Sequence, residues 1–457
     1  MQTRKLRRGE IYKVKCSEFV SDGYGLSHIE TENLLHQVKP LTGFILGMLP
    51  GENGFVKVIR VKSGHFFGVL LTINELKESK ENIKYENQSA ALEETFVHKK
   101  WALMSVSSDR VEEPCEKFVF CGGCKLLHLS YEKTLEYKNK WLLSQFQREK
   151  VISPEAEIIY SPQKFHYRNH VQVHINKYKE RGFYAPASYR TTPFPEEGCL
   201  IFEQKFFDKD FPEELELERC VRYRFDYVTE KTGIWSLNSP EDKKAEFTYT
   251  IEYPENSITS VKIPNAAFFQ INSRFVSVWL SKIEDFINET FSTNEEKIKI
   301  LEIFSGFKFI TEMISFNRPV SSLGIDILKE EELKKTTISN NKFKSQKIIS
   351  GEEYIQCDLT RLDKLAEEKK EIIKNYDFDL MLINPPRAGF MPSEMQIFFD
   401  EIIRPVKKPV IYSSCNAATF ARDAAKLSEF GYKIKKLMLL DFFPWTPHYE
   451  LLALLEC

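Results

Sequence analysis

The stretch Ile298-Lys299-Ile300-Leu301-Glu302-Ile303-Phe304-Ser305-Gly306-Phe307-Lys308-Phe309 decides how the chain is read. Residues 298–304 form a short, mostly apolar run, interrupted by Lys299 and Glu302 and closed by a serine and a glycine. Runs of this length read as strands buried on both faces, as in a parallel sheet. Toward the carboxyl end the pattern recurs at 323–327, 380–383 and 410–412, with helical stretches at 330–339 and 419–430. Strands alternating with helices predict an α/β fold with a doubly wound sheet. Such sheets bind ligands beyond the carboxyl ends of their strands. The residues that follow each run are therefore the candidates for chemistry.

Three short segments at predicted strand ends carry polar or reactive side chains. Ile383-Asn384-Pro385-Pro386-Arg387-Ala388-Gly389 sets an amide before two prolines. This is a rigid lip that can hydrogen-bond a flat heterocycle, or a simple strand terminator. Tyr412-Ser413-Ser414-Cys415-Asn416-Ala417-Ala418-Thr419 sets a cysteine between a strand and a helix. The helix dipole favours a thiolate there, which suits a nucleophile. A lone cysteine is nevertheless more often inert core. Phe443-Pro444-Trp445-Thr446-Pro447-His448-Tyr449-Glu450 places a carboxylate just before the apolar strand 451–455, as a base or as a solvated charge. No one of the three decides the function.

Toward the amino end the texture changes. Residues 165–264 are strand-rich, with strands at 170–175 and 248–253, and 131–150 is a helix whose Leu135, Trp141, Leu142 and Phe146 fall near helical spacing. Residues 8–78 read as short strands around the turns Asp22-Gly23-Tyr24-Gly25 and Pro50-Gly51-Glu52. That suggests a small closed OB-like barrel. Small barrels often bind nucleic acid, although fold alone does not establish it. The polar stretch 73–100 reads as a linker. The expected organisation is a barrel over 1–78, a central piece over 79–265 and an α/β domain over 266–457. That agrees with roughly 150 residues per domain in a chain of 457.

Composition narrows the class. With 42% hydrophobic and 28% charged residues the chain is globular, not wholly disordered. No run approaches the roughly 18 apolar residues of a membrane span. Arg4, Lys5, Arg7 and Arg8 precede no apolar stretch, so a secretory signal is not expected and a cytoplasmic location is. The 64 basic and 66 acidic residues leave a net charge of −2, which excludes a uniformly basic nucleic-acid binder but not a local basic patch. The lysine-rich stretch 342–347 is the only low-complexity texture.

Nine cysteines are too few for a disulfide scaffold. Three of them are close in Cys115-Glu116-Lys117-Phe118-Val119-Phe120-Cys121-Gly122-Gly123-Cys124. Thiolates ligate iron–sulfur clusters and structural zinc, and the spacing alone leaves both open. Gly122 and Gly123 would let the backbone turn around an inorganic core with amides aimed at sulfur. A fourth ligand is needed, and Cys199 is the nearest later candidate.

Taken together and in this order, these segments resemble the RNA (uracil-5)-methyltransferase family over nearly the whole chain. The barrel is similar to a TRAM domain. The resemblance implies a Rossmann-like class I methyltransferase domain at the carboxyl end. It also implies a central strand-rich iron–sulfur domain, with Cys115, Cys121, Cys124 and Cys199 holding a four-iron four-sulfur cluster. Phe268-Phe269-Gln270-Ile271-Asn272 is similar to the family's Phe-x-Gln segment. Ser414-Cys415-Asn416, followed by Arg422-Asp423, is similar to its nucleophile motif, and Pro447-His448-Tyr449-Glu450 to the segment of its general base.

The implied activity is S-adenosylmethionine-dependent methylation of uracil C5. Cys415 would add to C6, Glu450 would remove the C5 proton, and Phe268 would stack on the extruded base. Implied cofactor contacts are Gln270, Phe304, Gly306, Asp326, Asp358 and Asn384, with Asn384 also facing the uracil. The implied partner is RNA, 23S ribosomal RNA before transfer RNA, with no membrane and a monomeric protein. The chain departs from the family pattern at the cofactor turn. Lys308 and Phe309 stand where the family has a second glycine and an asparagine, and Asn384 replaces an aspartate. A lysine entering the cofactor pocket would weaken binding. On that expectation rests the alternative of a non-catalytic, RNA-binding member with a degraded cofactor site.

Overall fold

A computed structural model describes residues 6–32, 38–84, 95–208, 211–291, 296–343, 345–348, 353–403 and 407–457. Arg4 and Lys5, residues 85–94 of the stretch read as a linker, and Lys344 of the lysine-rich stretch lie outside them. The chain forms two compact units, neither of which is one run of sequence. Met1–Trp141, His174–Gly198 and Trp445–Pro447 make the first; Leu142–Val173, Cys199–Pro444 and His448–Cys457 make the second.

The first unit contains a closed five-stranded barrel. Ile11–Val20 pairs with both Tyr24–Glu32 and Asn53–Lys62, Val38–Leu46 pairs with Tyr24–Glu32 and His65–Leu70, and His65–Leu70 closes the ring on Asn53–Lys62. Closure leaves no exposed sheet edge. Residues 73–84 are not a linker. Thr72 and Glu75 form a reciprocal cap on the helix Ile73–Glu78. Leu76 and Ile83 then join Ile11, Phe55, Leu71 and Ala102 in one core cluster. Few apolar positions are enough when they fall on one face of a capped helix.

The second unit is built on an eight-stranded sheet. Its order is Tyr354–Gln356, Val320–Asp326, Ile298–Ile303, Leu380–Ile383, Val410–Ser414, Glu450–Glu456, Lys433–Leu440 and Glu157–Ile159. The first five run parallel, and Glu450–Glu456 enters antiparallel to Val410–Ser414. Both faces are covered, so Ile300, Leu301, Ile303, Met381 and Ile411 are all buried. A smaller antiparallel sheet joins Glu246–Ile251, Thr259–Pro264, Thr337–Asn340 and Ser345–Ile348. It corrects the helix expected over 330–339, which stops at Leu333. Thr336, Thr337 and Ile338 are β-branched and favour pairing along Thr259–Pro264, where Ile338 is fully buried.

The turns at the carboxyl ends of the parallel strands are laced together. Asn384 donates its backbone N–H to the Ile303 carbonyl, Ser305 to Ile325, and Cys357 to Asp326, at 3.2, 3.2 and 2.7 Å. The candidate residues thus meet on one edge of one sheet.

Candidate active site

Cys415 follows Val410–Ser414 and precedes the helix Ala417–Glu429, as expected. Glu450 opens the neighbouring strand. The antiparallel register pairs Ser414 with Leu451, so one further step sets Cys415 opposite Glu450. Burial governs both groups. It pushes the Cys415 thiol up to about 11, and the Glu450 carboxylate adds to that rise. The Arg387 guanidinium opposes it and hydrogen-bonds the thiol. Glu450, completely enclosed, is pushed up to about 8 by burial, again with Arg387 opposing. Desolvation therefore outweighs the helix terminus that was expected to lower the thiol's pKa.

Arg387 had no role in the sequence reading, although it stands in the quoted lip. Its backbone carbonyl accepts from the Asn416 side-chain amide at 3.1 Å and from the Thr419 hydroxyl at 3.2 Å. Asn416 also caps the helix by accepting from the Ala418 N–H. Farther along, Asp423 accepts from the Phe390 N–H at 2.7 Å and the Tyr412 hydroxyl at 2.6 Å. Arg422 pairs with Asp423 and donates to the Ala388 carbonyl. Gly389 permits this approach. It has a φ of +76°, and a Cβ there would lie 2.5 Å from the Asp423 carboxylate. The lip is thereby fastened to the helix that follows Cys415. No signal in the sequence could have paired 387 with 415, because the adjacency of their strands is set by topology.

The turn after Ile298–Ile303 holds Phe304, Gly306 and Lys308 at φ of 58°, 54° and 56°. Asp326 anchors it, accepting from the Gly306 N–H at 2.9 Å and from the Leu328 N–H at 3.1 Å. A Cβ at Gly306 would meet nothing within 4 Å, so the space beside the turn is open. The Ser305 hydroxyl is buried with no hydrogen-bond partner. An open, glycine-lined turn with a fixed carboxylate is a surface that S-adenosylmethionine fits. Phe304 stands edge-on to Phe390 at 5.3 Å. Asp358 is half-buried, with its carboxylate held below the usual range by hydrogen bonds from the Thr360 hydroxyl and N–H.

Lys308 does not behave as expected from the sequence. It adopts the left-handed conformation a glycine would, yet it is only 1% exposed. Its ammonium donates to the Ser322 carbonyl at 3.2 Å and to Glu353 at 3.0 Å, with Glu312 at 3.6 Å. Ser322 lies back along the strand from Asp326, so the side chain runs away from the strand ends. Gly324 makes room: a Cβ there would sit 2.8 Å from the Lys308 Cγ. Phe309 is buried, edge-on to Phe269 at 5.5 Å. Beneath the turn Glu302 is pushed up to about 8 by burial, opposed by the Thr311 hydroxyl and Lys308.

Phe268 and Gln270 lie on a pinned loop. Arg224 donates to the carbonyls of Asn265 and Ala267 at 2.5 and 2.7 Å, and the Asn169 N–H donates to Ile271 at 2.9 Å. Phe269 stacks on Tyr249 at 4.3 Å, which leaves Phe268 73% exposed. An exposed ring on a held backbone can receive a base. Gln270 is half-buried on the same segment.

Cys115, Cys121 and Cys124 are half-buried in the first unit, and Cys199 belongs to the second. Burial raises the Cys115 thiol above its ordinary value. The Gly123 N–H points at the Cys121 sulfur at 3.4 Å, whereas the Gly122 N–H donates to the Tyr184 carbonyl. Among the described residues no three His, Cys, Asp or Glu side chains gather into a metal-holding group. No step of the chemistry is routed through a cluster.

Among the described residues no helix is long and apolar enough to cross a membrane. Residues 256–457 match the family model for tRNA (uracil-5-)-methyltransferase. A Leptospira interrogans protein named as an uncharacterised RNA methyltransferase is 26% identical, over 99% of this chain and 96% of its own. The tRNA (uracil(54)-C(5))-methyltransferase of Pyrococcus abyssi is 28% identical over 78% of this chain and 89% of its own. A crystal structure of the Pyrococcus abyssi tRNA (uracil-54, C5)-methyltransferase with S-adenosyl-L-homocysteine shares the fold, with a TM-score of 0.59, 20% identity and coverage of 97% and 99%. The carboxyl-terminal residues 256–457, which carry Cys415 and Glu450 side by side at the strand ends, are thus similar to the tRNA (uracil-5-)-methyltransferase family, and the chain as a whole is similar to proteins named as RNA methyltransferases.

Proposed function

We propose that the protein methylates C5 of a uracil in RNA through a covalent bond from Cys415 to C6. The observation that carries this is the corner itself: a half-buried thiol opposite a buried carboxylate, with a guanidinium on the thiol. Uracil C5 is a weak nucleophile. Addition of the Cys415 thiolate to C6 moves the C5=C6 electrons toward O4 and makes C5 reactive. S-adenosylmethionine supplies an electrophilic methyl group and leaves as the thioether. Glu450 then takes the C5 proton, the double bond re-forms, and the Cys415 thiolate departs. Arg387 favours the thiolate at both ends of the cycle. Asn384 has a half-buried amide at the strand end, placed to hydrogen-bond a heterocycle. Phe268 would stack on the extruded base.

For the cofactor, Gln270, Phe304, Gly306, Asp326, Asp358 and Asn384 are the proposed contacts. The non-catalytic reading loses its ground, because Lys308 is bonded to Ser322 and Glu353 along the sheet. The proposed RNA is 23S ribosomal RNA, supported by the barrel and the cysteine group. Transfer RNA is the second reading, favoured by the similarity to the Pyrococcus abyssi tRNA enzyme. A four-iron four-sulfur cluster on Cys115, Cys121, Cys124 and Cys199 is proposed on sequence spacing alone. Iron and sulfide near four each in anaerobically purified protein would support it; stoichiometric zinc would sink it.

The central test is nucleoside analysis of 23S and transfer RNA from cells with and without the protein. Loss of 5-methyluridine from one of them identifies the substrate. Loss from neither overturns the assignment. RNA carrying 5-fluorouridine at the target should trap an adduct with the unmodified protein and none with Cys415→Ala.

A further inference from the structure

The short strands Arg181–Tyr184 and Thr191–Pro193 in the first unit present an unusual surface. Tyr189 is 91% exposed, Tyr178 71% and Tyr184 37%. Tyr178 lies in the turn before Arg181–Tyr184 and Tyr189 in the turn after it, so exposed rings flank one short strand, and exposed large rings of this kind can mark an interaction site. His174 stacks on Tyr184 with centroids 3.6 Å apart and planes 16° from parallel, and Tyr189 meets Tyr184 edge-on at 5.7 Å. The register explains the row. His174 pairs with Gly182, so Tyr184, two residues on, shares its face.

The loops that carry the rings are held in place. Asn176 accepts from the N–H groups of Tyr178 and Glu180 at 2.9 and 3.0 Å, which sets the first tip. Ala185 donates to the Arg190 carbonyl at 2.8 Å, and the Ser188 hydroxyl accepts from the Arg190 N–H, which sets the second. Behind them the cysteine loop forms a backing. Gly122 donates to the Tyr184 carbonyl at 2.9 Å, and Thr192 donates its hydroxyl to the Phe120 carbonyl at 2.7 Å. Gly182 allows the two strands to close, since a Cβ there would lie 1.8 Å from the Thr192 carbonyl oxygen.

The charge around the rings is cationic. Lys177, Lys179, Arg181 and Arg190 are interleaved with the tyrosines, against Glu180 alone. The Lys177 ammonium lies over the Tyr178 ring at 4.8 Å. The whole chain is slightly acidic, so this is a local patch. Exposed rings give faces to unpaired bases, and interleaved cations meet the phosphates between them.

We propose that Tyr178, Tyr184 and Tyr189, with the surrounding lysines and arginines, form a stacking platform for a single-stranded segment of the substrate RNA. The proposal rests on the RNA reading above and adds a docking surface to it. The test uses the full chain and a fluorescein-labelled oligouridine 12-mer in fluorescence anisotropy. Joint replacement Tyr178→Ala and Tyr189→Ala should weaken binding at least about tenfold, since each lost stack contributes at that order. Tyr→Phe at both positions should stay within about twofold of the unmodified chain, because stacking needs the ring and not the hydroxyl. S-adenosyl-L-homocysteine affinity, measured by calorimetry, should be the same in all three. Unchanged RNA affinity in the alanine pair overturns the platform and leaves the methylation reading standing. Absence of RNA binding by the unmodified chain overturns both.

Discussion

The nucleophile corner and the cofactor turn lie on the same edge of one sheet but handle charge in opposite ways. At the turn the charges of Asp326 and Lys308 are satisfied within the protein, although Glu302 beneath it is pushed up to about 8 by burial. Asp326 holds the Gly306 and Leu328 N–H groups, and Lys308 holds Ser322 and Glu353. At the corner charge is withheld. Glu450 is enclosed and pushed up to about 8, the Cys415 thiol to about 11, and Arg387 is the one cation opposing both shifts. The turn is built to stay as it is. The corner is built to change protonation, which is what a proton acceptor beside a nucleophile must do.

The sharpest way to break this contrast is Cys415→Ala. It should reduce methyl transfer by about 10⁴-fold or more, as for other removed nucleophiles, with cofactor affinity intact. Residual transfer within tenfold of the unmodified rate, followed by labelled methyl incorporation, would move the reaction away from this corner. Glu450→Gln should act one step later. Turnover should fall about 10²- to 10⁴-fold while a denaturation-resistant RNA adduct accumulates, visible as a shifted band. Slow turnover with no adduct would place Glu450 in the addition step instead.

The pH dependence separates the two regions further. The single-turnover rate should climb as pH rises through about 8, where Glu450 loses its proton, and Glu450→Gln should lack that climb. Stability should move the other way. Between the ordinary carboxylate value of 4.5 and about 8, folded Glu450 and Glu302 keep protons that the unfolded chain has released. The unfolded state then binds fewer protons, so stability falls with rising pH across that window. Melting temperatures at pH 5 and pH 8 should show a smaller fall for Glu450→Gln than for the unmodified chain.

Smaller effects are expected at the turn. Lys308→Met keeps bulk but removes the ammonium and its bonds to the Ser322 carbonyl and Glu353, and should cost about 1–3 kcal/mol in denaturant unfolding. Lys308→Gly relieves the left-handed strain while losing the same bonds. It should leave S-adenosyl-L-homocysteine affinity within about threefold by calorimetry. A tenfold tightening would show that the lysine does obstruct the cofactor.

Much of this was legible in the chain, and the exceptions have physical causes. Residues 298–303 and 380–383 read as strands because sheets covered on both faces leave predominantly apolar runs, unbroken at 380–383 and interrupted by Lys299 and Glu302 at 298–303. Cys415 and Glu450 stand out in the sequence because the segments around them are distinctive. Residues 337–339 were misread as helix because the edge of Thr259–Pro264, with which they pair, lies far off in sequence. Residues 73–84 read as linker because their buried positions, Leu76 and Ile83, are sparse.

The sequence by itself determined the alternation of strands and helices and the placement of reactive side chains at strand ends. Both depend on local composition, which operates within a few residues. Only the tertiary structure decided which ends are neighbours. Cys415 faces Glu450 because a strand from the far end of the chain enters antiparallel beside Val410–Ser414, and Arg387 reaches the thiol because its lip is bound to the next helix. Lys308 turns along the sheet because Gly324, sixteen residues away, leaves a groove for it. Register, strand order and burial are set by pairing between distant segments, and they alone decide whether a charge is solvated, paired or held in reserve.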